Sequence, residues 1–342
     1  MNWIGSDILA LVLSFGVTTG LGFVLIPWLH KLKFGQTILD IGPAWHKKKQ
    51  GTPTMGGILF AAGILSAFVV ALITDKLTGG DILAGDYPVP VEIRSKILAG
   101  VLMALGFGVI GFADDYIKVV KKRNLGLTVL QKTVAQVLVM AAYLLSLQLS
   151  MNNKPYMFIP FVGNVEMGVV FFWLFGACVI YAAINAVNFT DGIDGLCSSV
   201  TLTAAAAFFV IAVLKEKFGV SLLAACLAGG CAGFLVWNHN PAKVFMGDTG
   251  SMFLGGLVVA LAYALDCPLI LLPVGIIYVI EGMSDVIQIG YFKLTHGKRI
   301  FKMAPIHHHF EMSGWSEKKI VAVFTTINLI GGAVGVLLMY FG

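Results

Sequence analysis

The 342-residue chain is poor in charge: only 12% of its residues are Asp, Glu, Lys or Arg, and 58% are hydrophobic. A soluble domain carries about 25% charged residues, so water is not the main solvent of this protein. Its five cysteines (178, 197, 226, 231, 267) stand singly, mostly inside apolar runs, and no CxxC pair occurs. A disulfide framework is therefore not expected, nor a thiolate metal site. HExxH and GK[ST] are also absent, which removes the metalloprotease helix and the Walker A loop. The opening MNWIGSDILALVLSFG has no basic stretch ahead of its apolar run, so it reads as a first membrane helix rather than a cleaved leader. Long apolar runs such as VLMALGFGVIGFA lack the two-residue alternation of barrel strands.

What remains is a polytopic all-α membrane protein, read as a single domain over 1–342. A span of hydrocarbon about 30 Å thick needs roughly 20 apolar residues as a helix. Ten candidates satisfy this: about 4–29, 54–74, 95–113, 129–149, 168–187, 196–214, 220–237, 250–265, 268–290 and 320–341. Loops after odd-numbered spans carry most of the 23 lysines and arginines, among them Lys31, Lys33, Lys47, Lys48, Lys49, Lys118, Lys121, Lys122, Arg123, Lys132, Lys243, Lys293, Lys298, Arg299, Lys302, Lys318 and Lys319. The positive-inside rule puts these loops in the cytoplasm and both termini outside. All seven histidines fall in the same loops. So do Asp114, Asp115, Asp191, Asp194 and Asp248, each near a span end. Chemistry is expected on the cytoplasmic face.

Five segments carry it. GFADDYIKVVKKRN (111–124) sets the pair Asp114 and Asp115 ahead of Lys118 and further bases. Adjacent carboxylates repel unless a cation or proton lies between them. AVNFTDGIDGL (186–196) places Asn188, Asp191, Gly192, Asp194 and Leu196 between two spans. Its bland reading is that Asp194 caps the following helix. NHNPAKVFMGDTGS (238–251) offers Asn238, His239, Lys243, Phe245 and Asp248 ahead of a span, where free N–H groups favour an anion. KMAPIHHHFEMSGWSE (302–317) has three consecutive histidines, His307, His308 and His309, which alternate sides in an extended backbone. HKKKQGTPTMGGILF (46–60) supplies Lys49 and Thr54, with small residues suited to tight helix packing. Within the ninth span, Glu281 and Asp285 lie four apart, an expensive placement that points to a polar cavity.

Carboxylates and amides for a hard cation, with lysines and histidines for phosphate oxygens, suit phosphoryl transfer with Mg²⁺ or Mn²⁺. A lipid phosphate and a diphosphate donor are the natural partners on a membrane face. An ion-coupled transporter is the rival from another class, but it would gather its charges near the midplane, often with repeated halves. No convincing internal repeat is found.

In the order KKKQGTPTMGG, GFADDYIKV, NAVNFTDGIDGL, NHNPAKVFMGDTGS and PIHHHFE, essentially the whole chain resembles the phospho-N-acetylmuramoyl-pentapeptide transferases. DDYIK and NFTDGIDGL are shared with the wider polyprenyl-phosphate sugar-1-phosphate transferases, whereas TPTMGG and PIHHHFE are specific to this branch. The resemblance implies a homodimer of ten-helix chains in the bacterial cytoplasmic membrane. UDP-N-acetylmuramoyl-pentapeptide and undecaprenyl phosphate would give lipid I and UMP for peptidoglycan synthesis, with Mg²⁺ as cofactor and no nucleic-acid partner. It implies Asp248 as the metal ligand and Asp114, Asp115, Asp248, His307 and His308 as catalytic. Asp114 would deprotonate the lipid phosphate or attack directly. Lys49, Thr54, Lys118, Lys132, Asn188, Asp191, Gly192, Asp194, Leu196, Asn238, Phe245, Gln288 and His309 would contact substrate. A sister enzyme moving an N-acetylhexosamine phosphate is the nearest alternative, and PIHHHFE argues against it.

Overall fold

The computed structural model describes residues 3–31, 49, 51–84, 89–120 and 125–342. Lys33, Lys47, Lys48, Lys121, Lys122 and Arg123, which entered the side assignment, lie outside them, as does His46. The described chain runs α1 (Trp3–Lys31), α2 (Gly57–Leu77), α3 (Pro90–Val120), α4 (Val129–Ser150), β1 (Tyr156–Ile159), β2 (Gly163–Glu166), α5 (Val169–Thr190) and α6 (Leu196–Leu214). It continues with α7 (Phe218–Asn238), α8 (Gly247–Ala264), a 3₁₀ turn (Pro268–Ile270), α9 (Leu271–Val274), α10 (Ile276–Leu294), α11 (Ile306–Glu311) and α12 (Glu317–Phe341).

Among the described residues nine helices are long and apolar enough to span a bilayer, or ten if the helix pair Pro268–Val274 and Ile276–Leu294, bent by 89° at its break, is one span. The expected ninth span is therefore not one helix. Pro268, Pro273 and Gly275 interrupt it, because proline removes a helical donor and crowds the preceding turn. Broken backbone at membrane depth needs protein partners, and Asn328 of α12 supplies them. Its side chain, fully buried, accepts from Ile277 N (3.3 Å) and donates to Val274 O (3.1 Å), one bond on each side of the break.

Helices sort into an inner and an outer set. In their most apolar windows α7 is 83% and α8 89% buried, against 22–28% for α1, α4, α5 and α12. The outer faces present residues such as Phe23, Val24, Leu138, Leu174 and Ile330, suited to acyl chains. Lipid gives helices little hydrophobic reason to associate, so close packing through small residues must do it. The GG of TPTMGG is used this way: a Cβ on Gly57 would stand 2.3 Å from Gly250 Cα of α8.

Two local findings differ from the sequence reading. Residues 156–166 form an antiparallel hairpin, Tyr156 opposite Glu166 and Ile159 opposite Gly163, where no strand was expected. The three histidines sit on the short helix α11, not on an extended segment. Three consecutive helical positions spread over most of a turn, so the rings take different partners.

Candidate active site

The C-terminal end of α3, the N-terminal end of α8 and the start of α4 meet at one point. A Cβ on Gly111 would lie 2.0 Å from Asp248 O, so only glycine lets α3 approach the first turn of α8 this closely. That approach brings Asp114 and Asp115 to Asp248: one oxygen from each carboxylate lies within 4.8 Å of the others. Asp114 and Asp115 are each 3% exposed.

Asp248 stands in the first turn of α8, where the dipole favours negative charge, but Asp114 and Asp115 lie more than a turn before the end of α3 and gain nothing from a dipole. Specific donors compensate. Asp114 Oδ1 accepts from Leu127 N at 2.8 Å, and Asp115 Oδ2 accepts from Thr249 N at 2.9 Å and Thr249 Oγ1 at 2.7 Å. Lys118 Nζ lies 2.5 Å from Asp114 Oδ2 and 3.2 Å from Asp248 Oδ2, and Lys132 Nζ reaches that oxygen at 2.8 Å. Asn188 Nδ2 donates to Asp248 Oδ1 (3.0 Å) and to Ser251 Oγ (2.7 Å). Thr54 borders the cluster, its Oγ1 2.7 Å from where a Gly247 Cβ would stand. Three carboxylates thus share two ammonium groups.

The turn between α5 and α6 is the next layer. Asp194 does not cap α6; Gly195 does, at φ +79. Instead Asp194 Oδ1 pairs with Lys49 Nζ at 2.7 Å, and its Oδ2 accepts from Ala242 N (3.0 Å) and Asn240 Nδ2 (3.1 Å). Glu317 at the start of α12 holds the same Lys49 at 2.7 Å. Burial lifts the Asp191 carboxyl well above its ordinary range, helped by Asp248, then Asp115 and Asp194.

Other residues are turned to the scaffold. Asn238 accepts from Gly195 N (3.1 Å) and donates to Val244 O (2.9 Å), tying the α7–α8 connection to the turn. Leu196 is fully buried in the core. Gln288 braces the 300–301 backbone through Ile300 N, Phe301 N and Phe301 O at 3.1–3.2 Å, and His309 Nδ1 accepts from Lys302 N at 3.1 Å. Phe245 is half-buried, its backbone paired with Pro53 O and Gly56 N, both at 2.8 Å. His307, fully buried, meets Glu281 Oε2 at 3.1 Å through Nδ1, and His308 Nδ1 meets Glu311 Oε2 at 2.7 Å.

The sequence reading did not single out Thr249, Ser251, Asn240, Glu311 or Glu317. Nothing local marks Glu317, whose partner Lys49 lies 268 positions away. Thr249 and Ser251 stood in a quoted motif, and nothing local ties them to Asp115 or Asn188.

A family model described as glycosyl transferase family 4 matches residues 97–266, the stretch from Asp114 through Asp248. A second, described as phospho-N-acetylmuramoyl-pentapeptide-transferase signature 1, matches residues 49–60. A phospho-N-acetylmuramoyl-pentapeptide-transferase of Acetivibrio thermocellus is 46% identical over 96% of this chain and 93% of its own. Those of Carboxydothermus hydrogenoformans and Listeria welshimeri are each 44% identical, covering 96% and 93% of this chain and 97% and 93% of theirs. The chain belongs to the phospho-N-acetylmuramoyl-pentapeptide-transferase family. It is a membrane-spanning enzyme of that family, and the carboxylate cluster lies inside the wider glycosyl transferase match. Lys49 and Thr54 lie inside the signature, whereas Glu281, Gln288 and the three histidines lie beyond both matched stretches.

Proposed function

We propose that the chain transfers phospho-N-acetylmuramoyl-pentapeptide from its UDP derivative to undecaprenyl phosphate, releasing UMP, with Mg²⁺ bound at the carboxylate cluster. The observation that carries this reading is Asp114, Asp115 and Asp248 converging beside Lys118 and Lys132. A hard divalent cation fits these groups: all three are oxygen donors, no thiolate or imidazole is among them, and they exceed their ammonium partners by one charge. Asp114, Asp115 and Asp248 would hold it, and when bound it would supply positive charge against diphosphate oxygens.

This chain's own residues do the rest. Lys132 and Lys118, now on Asp248 Oδ2, are placed to take anionic oxygens of an incoming diphosphate. Asn188 fixes the rotamer of Asp248 through Oδ1. Asp114 takes the proton of the lipid phosphate if it arrives protonated. An acceptor phosphate oxygen then bonds to the sugar-side phosphorus of the donor. The bond from that phosphorus to the bridging oxygen breaks, and the electron pair leaves with UMP. No covalent enzyme intermediate is needed, since the acceptor is already a nucleophile.

The reaction is read as cytoplasmic because the basic residues gather at this end of the helices: Lys118, Lys132, Lys243, Lys293, Lys298, Arg299, Lys302, Lys318 and Lys319. The same bias supports both termini outside in the bacterial cytoplasmic membrane. The family resemblance supports a homodimer. UMP release by purified protein in detergent, with both substrates, tests the function. It should require lipid, Mg²⁺ and Asp248, Asp248→Ala being the control. No release from folded protein under any divalent metal would sink the reading.

A further inference from the structure

Glu281 is the largest unexplained cost in the spanning region. It lies one turn into α10 and is fully buried, where a carboxylate is expensive without partners. Its Oε2 meets His307 Nδ1 at 3.1 Å, and among the described residues Oε1 has no hydrogen-bond partner. His307 is equally buried, and its Nε2 has no partner among the same residues. A Cβ added to Gly192 would stand 2.0 Å from that Nε2. The imidazole edge therefore fills the place a side chain would occupy on the turn that carries Asp191. This turn lies within electrostatic reach of Asp248, Asp115 and Asp194.

The Glu281 contact fixes the ring through Nδ1 and leaves its Nε2 edge against the Gly192 turn. Asp285, one turn along α10, Asp191 beside Gly192 and Glu311 on His308 are the acids around the pair, and the His308 ring packs tilted against that of His307 with centroids 4.1 Å apart. None of them offers His307 Nε2 a hydrogen bond.

We infer that Glu281 is a positioning residue for the donor site: it locks the His307 ring, and the ring sets the Asp191–Gly192 turn against which the UDP-linked donor binds. This rests on the proposed transfer reaction. Nothing in the chain from Glu281 to Gly192 touches the α3–α8 carboxylates, so the effect belongs to donor binding rather than to the chemical step.

The test is steady-state kinetics of the full-length protein, varying donor and lipid separately, with thermal unfolding as a folding control. Glu281→Leu should raise KM for the UDP-linked donor at least tenfold, leaving KM for the lipid and kcat within about threefold. Glu281→Gln keeps a hydrogen-bonding group for Nδ1 and should lose much less. Gly192→Ala pushes on the ring from the other side and should reproduce the donor-specific change. In the double variant the two effects should not add, as for residues acting on one element. If Glu281→Leu does not fold, Glu281→Gln and Gly192→Ala carry the test alone. Equal losses in Glu281→Gln and Glu281→Leu, a change in kcat or lipid KM alone, or additive effects would overturn the inference. An inactive wild-type protein would instead count against the transfer reaction itself.

Discussion

Both ends of the inner helices bury charge, but they do it differently. At one end Asp114, Asp115 and Asp248 face Lys118 and Lys132. At the other, Glu92 and Asp266 face Lys96 and Lys217: Lys96 pairs with both acids, Lys217 Nζ meets Asp266 Oδ2 at 2.5 Å, and Tyr156 of the hairpin donates to Glu92 Oε1 at 2.6 Å. Among the described residues these two acids and two bases pair with one another and pin the hairpin to α3 and the α8 end. Among the same residues three acids meet two bases at the other end, the balance that the proposed cation would complete. The brace is nearly sealed, whereas Lys118, Lys132 and Asp248 keep 35%, 22% and 20% of their side chains exposed, so access as well as charge balance separates the two ends.

Exchanging the lesions breaks the comparison most sharply. Asp248→Asn should cut transfer on the order of 10²–10³-fold, the scale seen when a group aimed at developing charge is lost, with little loss of thermal stability. Asp266→Asn should do the reverse. It strips Lys96 and Lys217 of a shared partner, and breaking a buried pair costs about 3–5 kcal/mol, while kcat of the folded fraction stays within about threefold. The measurement is UMP release beside thermal unfolding in the same detergent. Loss of activity in both variants at equal stability would erase the distinction.

The same contrast runs along the α3–α8 seam. Gly111 faces Asp248 O, and Gly100, three turns earlier, faces Ala260 Cβ at 2.6 Å from an added Cβ. Alanine at either position overpacks the seam by about 1–3 kcal/mol. Only Gly111→Ala should also lower transfer, by roughly tenfold, since misplacing the first turn of α8 moves Asp248. A Gly100→Ala variant with an equal catalytic defect would show that the whole seam, not its site end, sets the geometry.

Acid should pull the two ends in opposite directions. Asp266 is held below its ordinary value: Lys217 and Lys96 outweigh the burial that would raise it. Its contribution is fully present above the unfolded pKa of about 4, and it is lost as pH falls through the lower folded value. Asp191 is raised by burial and by its carboxylate neighbours. Its contribution is greatest below the unfolded value and fades as pH rises through the folded one. At neutral pH Asp191→Asn should therefore stabilise the protein by about 1 kcal/mol, as relieved strain at functional sites commonly does, at a cost in donor binding. Asp266→Asn should flatten the acid limb of stability measured between pH 3 and 6.

Much of this was legible in the chain because membrane helices advertise themselves. The ten runs, their parity and the acids at their ends follow from length and charge alone. The 89° break was not legible, since LLPVGIIYVIEG is apolar enough to span, and Asn328, which makes the break tolerable, lies 51 positions beyond Ile277. The hairpin was missed because Tyr156–Glu166 is too short to show a period against two long helices. In the site, Asp114 and Asp115 announced themselves as adjacent carboxylates near a span end and Asp248 as an acid ahead of a span, whereas Asn238 and Leu196 stood in motifs with no sign of the scaffold contacts their side chains make. Pairings such as Lys49 with Glu317 depend on where helices meet, which no local pattern encodes.

The smallest expected effect lies at α4. Lys132 sits in the first turn of that helix, where the dipole disfavours a cation, and Lys217 stands at the N-cap of α7 at the opposite end. Each is held there by a carboxylate, Asp248 or Asp266. Only α4 has a capping box: Thr128 Oγ1 accepts from Gln131 N at 3.2 Å, and Gln131 Oε1 accepts from Thr128 N at 3.0 Å. Once a cation draws Asp248 away, Lys132 no longer has that compensation until a substrate phosphate reaches it, and the cap must keep the turn wound. Thr128→Ala should cost about 1 kcal/mol of stability and raise donor KM about two- to threefold without changing kcat. The KM change should shrink at low temperature, where the α4 turn stays wound without its cap. A Thr128→Ala protein with unaltered donor KM but the full stability loss would show that Lys132 is held by Asp248 alone, even during turnover.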